Sequence, residues 1–211
     1  MKKITFSIIA LLLCSLNLYA QWDELYKYDR IPDSFQEAFI DASSLCITGI
    51  MNTKSGQYWG QMTDGSLYGY GIFIDNNGNQ WVGQYRGGEC IFGILMDTQT
   101  ANVGSKEFSA LYDLTTGNLL RIQTPNGPVT PDPDVAKDYR FESLTYANGD
   151  RYVGETYQGK RHGYGIYYWQ DGQFWYGQYK HNIRNGYGAL FGVQEKIFVG
   201  KWFDNEKQRR K

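Results

Sequence analysis

Three residues in the stretch YVGETYQGKRHGYG have almost the spacing of a phosphate-binding loop. Gly154, Gly159 and Lys160 form the pattern G-x-x-x-x-G-K. A complete loop also needs Ser or Thr after the lysine to bind Mg²⁺, and a helix behind it. Here Arg161 follows the lysine, and the next residues are rich in glycine. The motif is one residue short, so we expect neither a nucleotide nor any other cofactor.

Other residue types that support catalysis or metal binding lack the required companions. There are only two histidines, His162 and His181. No cysteine pair has the spacing of a zinc site, and no G-x-S-x-G nucleophile motif occurs. Asp132 and Asp134 stand without the glycine and glutamate of a calcium loop. The sequence therefore predicts a protein that is not an enzyme, with no catalytic residue and no metal ligand.

The glycines of the opening stretch recur at fixed places in five segments, whose first residues are 23 positions apart within each of two groups. Position one is always aromatic: Tyr58, Trp81, Tyr152, Trp175 and Phe198. Position three is always glycine: Gly60, Gly83, Gly154, Gly177 and Gly200. Alternate positions share one face of a β-strand. Position eight is glycine or asparagine, the residues that best tolerate positive φ in a turn. Each segment is therefore predicted to form a β-hairpin.

This pattern resembles the MORN repeat (membrane occupation and recognition nexus), whose core is Y-x-G-x-W-x-x-G-x-x-H-G-x-G. Residues 152–165 match it closely, including HGYG at 162–165. Residues 175–188 match with Asn182 and Asn185 in the glycine and histidine places. The resemblance implies an all-β fold, an antiparallel hairpin meander built from stacked 23-residue repeats. It also implies an interaction or scaffold role.

Segments outside the repeats predict a short N-terminal helix and a linker. Residues 31–42 read as a helix that covers one end of the sheet, and we expect helix only near 33–42. Residues 125–134 hold four of the five prolines and predict a linker or long loop. We expect paired strands across 57–93 and 139–203. The predicted divisions are a signal peptide (1–20), an N-terminal helical segment (21–47), a first repeat block (48–95), a degenerate hairpin with the proline-rich linker (96–138), a second repeat block (139–206) and a basic tail (207–211).

The first 20 residues have the form of a secretory signal. Lys2 and Lys3 precede an apolar run over residues 4–16, and Ala20 marks a cleavage point. Cleavage before Cys14, with lipidation there, is the alternative. We therefore predict an exported protein that is periplasmic, on the cell surface or extracellular.

The pairing of Cys46 and Cys90 depends on where the repeats begin. If the repeats extend upstream of Tyr58, the two cysteines lie two units apart. Four strand spacings of about 4.8 Å then separate them by roughly 19 Å, whereas a disulfide needs Cα atoms within about 7 Å. If the helical segment folds back across the sheet, pairing stays open.

The predicted binding surface lies in the second block. Residues 151–211 contain 11 basic and 5 acidic side chains. Tyr164 and Tyr187 lie between paired glycines and are expected at the surface, whereas the other rings are expected to stack on one another. We predict protein partners, with anionic lipid headgroups or a cell-surface glycan as alternatives, and no nucleic acid. The candidate partner surface comprises Tyr164, Tyr187, Lys160, Arg161, His162, Lys180 and Arg184.

Overall fold

A computed structural model describes Gln36, residues 46–192 and residues 196–208. The predicted signal peptide, Cys14 and most of the predicted N-terminal helix lie outside the described residues. Gln36 itself is helical and buried, and its side-chain oxygen accepts a hydrogen bond from Gln84 Nε2 at 2.6 Å.

Nine strands form a first antiparallel sheet in which each strand pairs with the next along the chain. They are β1 (Ile47–Asn52), β2 (Gly56–Thr63), β3 (Ser66–Asp75), β4 (Gln80–Arg86), β5 (Glu89–Met96), β6 (Thr100–Ser105), β7 (Ser109–Asp113), β8 (Leu119–Thr124) and β9 (Gly127–Val129). The degenerate hairpin expected after residue 95 is thus an ordered continuation of this sheet.

A four-residue helix, α1 (Pro133–Ala136), follows the first sheet, with the side chain of Asp132 capping its N-terminus. The prediction of helix only near 33–42 is therefore wrong, because Pro133 and the Asp132 cap favour one helical turn inside the proline-rich segment. Seven strands then form a second antiparallel meander. They are β10 (Tyr139–Thr145), β11 (Arg151–Tyr157), β12 (Lys160–Tyr168), β13 (Phe174–Lys180), β14 (Ile183–Phe191), β15 (Ile197–Phe203) and β16 (Glu206–Lys207).

The prediction of an all-β hairpin meander is confirmed, with strands across both predicted ranges. Residues after Gly159 form strand β12 and not a helix, which contradicts the phosphate-loop alternative. Two-residue turns join the hairpins, and positive φ at both turn residues is the geometry that suits the twist of the strands. Asn182 has φ of 74°, close to the 71° of Gly159, which explains why asparagine replaces glycine at position eight.

A β-bulge interrupts three hairpins just after the position-three glycine. The side chain at position four then supplies the acceptor that the ladder lacks. Gln61 accepts from Tyr70 N–H at 2.8 Å, Glu155 from Tyr164 N–H at 2.8 Å, and Gln178 from Tyr187 N–H at 2.5 Å. Position twelve must be glycine because its φ is positive and the position-four side chain fills the space of a Cβ.

The two sheets pack face to face around one hydrophobic core. Rings from the two sheets meet in pairs with reversed strand order: Trp59 with Phe174 (5.2 Å between centroids), Tyr70 with Tyr176 (6.3 Å), Phe92 with Tyr164 (4.8 Å) and Tyr112 with Phe141 (5.8 Å). A β-bridge between Asn118 and Arg140 joins the sheets near the turn of the chain. The second block therefore folds back over the first, so that each sheet has an inner face on this core and an outer face.

Candidate functional site on the outer sheet faces

The outer faces are built on glycine. The ring of Tyr152 lies against Gly154 and Gly165, and its hydroxyl donates a hydrogen bond to the carbonyl of Glu155 at 2.7 Å. Tyr58 lies in the same way in the first sheet, and its hydroxyl donates to the carbonyl of Gln61 at 2.8 Å. Both rings are fully buried. These position-one rings are consequently part of the framework and not a binding surface.

Arg161, at position ten, lies within a frame of tyrosines on the outer face of the second sheet. Its guanidinium carbon is 5.0 to 6.0 Å from four ring centroids, within the range of cation–π attraction. The four rings are Tyr146, Tyr152, Tyr167 and Tyr179. A guanidinium nitrogen donates to the carbonyl of Asn182 at 2.8 Å, which fixes the group over the rings.

Arg184 occupies the same position in the next hairpin. Its guanidinium carbon lies 5.5 Å from the Trp175 ring and 5.8 Å from the Trp169 ring, and it donates to the carbonyl of Asn205 at 2.7 Å. Burial lowers the pKa of Arg184, and the nearby positive charge of Arg161 adds to this effect. Among residues 46–192 and 196–208, no carboxylate forms an ion pair with either guanidinium. The arrangement therefore leaves two positive charges without a negative partner in the described part of the chain.

Three half-buried rings border these arginines, and we call them the outer aromatic row: Tyr146, Tyr167 and Trp169. Tyr146 stacks on Tyr167 with centroids 5.7 Å apart, and Tyr167 contacts Trp169 at 5.1 Å. The Tyr167 hydroxyl donates to Asp150 Oδ2 at 2.8 Å. Burial, helped by this bond and the Asp150 charge, raises the pKa of Tyr167 to about 12. The row is thus held in one orientation while keeping exposed ring surface.

Two of the predicted surface residues face the opposite way. Tyr164 and Tyr187 are only 5% and 2% exposed, because both lie on the inner face of the second sheet. Tyr164 belongs to the shared core, and Tyr187 packs beside it. The expectation that their rings present a surface is corrected by this placement.

The predicted polar residues lie near one another along the hairpin turns. Lys160 and Lys180 are exposed, whereas Arg161 and Arg184 are half-buried. The His162 ring is half-buried and lies 5.2 Å from that of His181. Burial and the His181 charge lower the pKa of His162 to about 4. This histidine is therefore neutral near pH 7 and packs as an uncharged ring.

The outer face of the first sheet contains an open groove of about 520 Å³. Its lining includes Leu67, Phe73, Trp81, Tyr85, Glu89 and Cys90. Burial raises the pKa of the Cys90 thiol to about 12, so the sulfur is protonated and behaves as an apolar group. Within the described ranges, no cluster of acidic, histidine and cysteine side chains could hold a metal ion. The same residues include no helix long and apolar enough to cross a membrane.

Sequence reasoning missed both the outer aromatic row and the position-four side chains. The signal for the row was the cluster of aromatic residues near the two ends of the hairpin β11–β12, at positions that the other units do not repeat strictly. The position-four residues were visible as Gln61, Gln84, Glu155 and Gln178, four residues with the same side-chain shape.

Comparison with known proteins gives a limited likeness. No family model matches the chain. A segment of 75 residues is 29% identical to Alsin of Homo sapiens and, equally, to Alsin of Rattus norvegicus. The aligned segment is 33% of this chain but 4% of those relatives, so the chain spans only a small part of their length. Alsin contains MORN repeats, and the all-β hairpin meander found here is compatible with that likeness.

Proposed function

We propose that the chain is an exported MORN-type repeat protein, built from stacked 23-residue units, that acts as a non-catalytic binding module for a protein partner. The observation that carries this proposal is the outer aromatic row beside Arg161 and Arg184. Export rests on the signal-peptide pattern of residues 1–20. The repeat assignment is supported by equal contacts at equal positions, such as Tyr58 and Tyr152 over their glycines.

Aromatic rings and arginine favour a protein partner on energetic grounds. Tyrosine, tryptophan and arginine are the residue types that most often dominate the binding energy of protein interfaces. Ordering flexible side chains on binding costs about 0.5–1.5 kcal/mol for each one. Here the rings are fixed by stacking and the Arg161 guanidinium is fixed by its bond to Asn182. Less ordering is then required when a partner binds.

Two alternatives have supporting observations of their own. Lys160 and Lys180 are exposed beside consecutive hairpin turns, next to two arginines that have no carboxylate partner in the described residues, which favours an anionic lipid surface. The stacked, half-buried rings of Tyr146 and Tyr167 favour a glycan, because ring faces suit sugar rings.

The test immobilises the mature chain, its Trp169→Ala variant and its Lys160→Gln/Lys180→Gln variant, and passes a protein extract of the source cells over each of them. A protein partner through the aromatic row predicts that one protein is retained by the parent and the lysine variant, at low and high salt, and is lost with Trp169→Ala. Retention that survives Trp169→Ala contradicts the proposal. Salt-sensitive binding to phosphatidylglycerol vesicles, lost in the lysine variant, supports the lipid alternative.

A further inference from the structure

We propose that the groove on the outer face of the first sheet binds an arginine side chain of a partner peptide. This inference rests on the proposed binding function and names the chemistry that a second surface would recognise.

The two sheets share three rings of the frame around position ten. In the second sheet, Tyr152 and Tyr179 meet edge to face with centroids 5.4 Å apart and an angle of 82°. In the first sheet, Tyr58 and Tyr85 occupy the equivalent positions and meet at 5.1 Å and 73°. The third ring of the frame is Tyr167 in the second sheet and Phe73 in the first.

The residue inside the frame differs between the sheets. Position ten is Arg161 in the second sheet and Leu67 in the first. In the following hairpin it is Arg184 in the second sheet and Cys90 in the first. Leu67 and Cys90 both line the groove, so the groove opens at the two positions that are equivalent to Arg161 and Arg184 of the second sheet. The first sheet thus has counterparts of three of the four rings that surround Arg161, but it lacks the arginine. Two of these counterparts, Phe73 and Tyr85, line the groove, whereas Tyr58 is buried beneath it.

Size and charge fit an incoming guanidinium. The volume of about 520 Å³ falls within the range of roughly 300–1,000 Å³ typical of ligand pockets. Phe73 and Trp81 are half-buried, with centroids 5.8 Å apart, and leave ring surface exposed to the groove. The exposed carboxylate of Glu89 lines the same groove and complements a positive charge. Arginine suits such a site better than lysine, because its planar, weakly hydrated group stacks on rings while donating hydrogen bonds.

The experiment uses an acetylated, amidated Gly-Arg-Gly peptide as the probe and the indole N–H resonance of Trp81 as the readout in ¹⁵N-labelled full chain. The resonance is assigned with a Trp81→Phe variant. We expect a saturating shift with the arginine peptide and about tenfold weaker binding of the neutral Gly-citrulline-Gly peptide. An absent shift, or equal shifts with both peptides, overturns the inference.

Two variants test the location. Leu67→Arg places the chain's own guanidinium in the groove and is expected to abolish the shift. Glu89→Gln alters only an exposed side chain and is expected to weaken binding of the arginine peptide several-fold, without changing the melting temperature. Unchanged binding in a folded Leu67→Arg protein, or in Glu89→Gln, contradicts the site.

The outcomes separate this inference from the proposed function. If a protein partner depends on Trp169 but the arginine peptide does not shift the Trp81 resonance, the arginine site is contradicted and the binding role of the second sheet is supported. A response at Trp81 without any Trp169-dependent partner supports the arginine site and removes the proposed surface of the second sheet.

Discussion

At the residue scale, the outer faces require glycine where a Cβ atom would collide with an aromatic ring or with the neighbouring strand. A Cβ added at Gly177 would overlap Trp175 and would lie 2.7 Å from the carbonyl oxygen of Tyr187 and 2.8 Å from Gly188 Cα. Real Cβ atoms do not approach backbone this closely, so the ring or the strand must move. The tryptophan ring can lie flat on the sheet only because the positions beneath it have no side chain.

Gly177→Ala is therefore expected to lower the free energy of unfolding by about 1–3 kcal/mol. Chemical denaturation measures this change. Gly192→Ala is the matched control, because among the described residues its added Cβ would meet nothing nearer than 3.4 Å, and its φ is not in the left-handed region. Equal stability losses in the two variants would be inconsistent with the packing of Trp175 on glycine.

His162 provides a pH dependence at the residue scale. Its pKa is about 4 in the folded chain, below the usual 6.5, chiefly because of burial. The unfolded chain therefore binds a proton near pH 6.5 that the folded chain does not bind until about pH 4. This favours the unfolded state progressively as pH falls from 6.5 to 4, and has no effect above that window.

We expect the melting temperature of the parent to fall across this window more steeply than that of His162→Gln, which cannot titrate there. Melting curves at pH 7, 5.5 and 4 give the comparison. His181→Gln is the control for the neighbouring ring. We expect its melting temperature to fall with pH almost as steeply as that of the parent. Parallel curves for parent and His162→Gln would exclude a buried, neutral His162.

At the scale of the element, the bulged hairpin depends on the side chain at position four. Glu155 is fully buried and accepts from Tyr164 N–H at 2.8 Å and from the Tyr112 hydroxyl at 2.7 Å. It thereby closes its own hairpin and joins the second sheet to the first. An acceptor lost from a buried N–H costs about 1–3 kcal/mol.

Glu155→Ala removes both acceptors and is expected to destabilise the chain by about 2–4 kcal/mol. Glu155→Gln keeps the side-chain shape used by Gln61 and Gln178 at the same position, so most of the stability should remain. Equilibrium unfolding in urea measures both variants. A Gln variant as unstable as the Ala variant would mean that the negative charge, and not the acceptor geometry, holds this hairpin.

The hairpins themselves were predictable because each one is coded locally. Alternating aromatic and glycine positions indicated the strands, and glycine or asparagine at position eight indicated turns with positive φ. The orientation of Tyr164 and Tyr187 was not predictable in the same way. Alternation correctly separates them from the glycine face, but only a second sheet lying on the other face makes that face an interior.

At the scale of the whole molecule, the decisive contacts join residues far apart in sequence. Trp59 packs on Phe174 and Phe191, with centroids 5.2 and 5.4 Å away. No repeat pattern contains this information, since each block alone is consistent with a sheet that faces water on both sides. The tyrosine frame around Arg161 was not predictable either, because it combines position ten of one unit with rings of neighbouring units.

The strand order determines whether Cys46 and Cys90 can form a disulfide. Cys46 directly precedes β1 and Cys90 lies in β5, four strand steps away in the same sheet. That separation is about 19 Å, beyond the reach of a disulfide, and both residues are thiols in the structure. Mass spectrometry of non-reduced, alkylated monomer should show both cysteines modified after denaturation. A peptide cross-linked through Cys46 and Cys90 would require a different course of the chain before β1.

The shared core makes the two sheets one unfolding unit. Because inner-face rings of each sheet pack against rings of the other sheet, separating the sheets would expose this cluster to water. We expect Trp59→Ala to lower the free energy of unfolding by about 3 kcal/mol. The loss should accelerate amide exchange in β13 and β14 as much as in β2, although the mutation lies in the first sheet. Phe203→Ala is the control, because this ring is 63% exposed. It should change neither the free energy of unfolding nor the amide exchange rates of these strands. Hydrogen exchange by mass spectrometry reads each strand separately. Faster exchange confined to the first sheet would mean that the two blocks unfold independently, and that the facing rings contribute little to the stability of the fold.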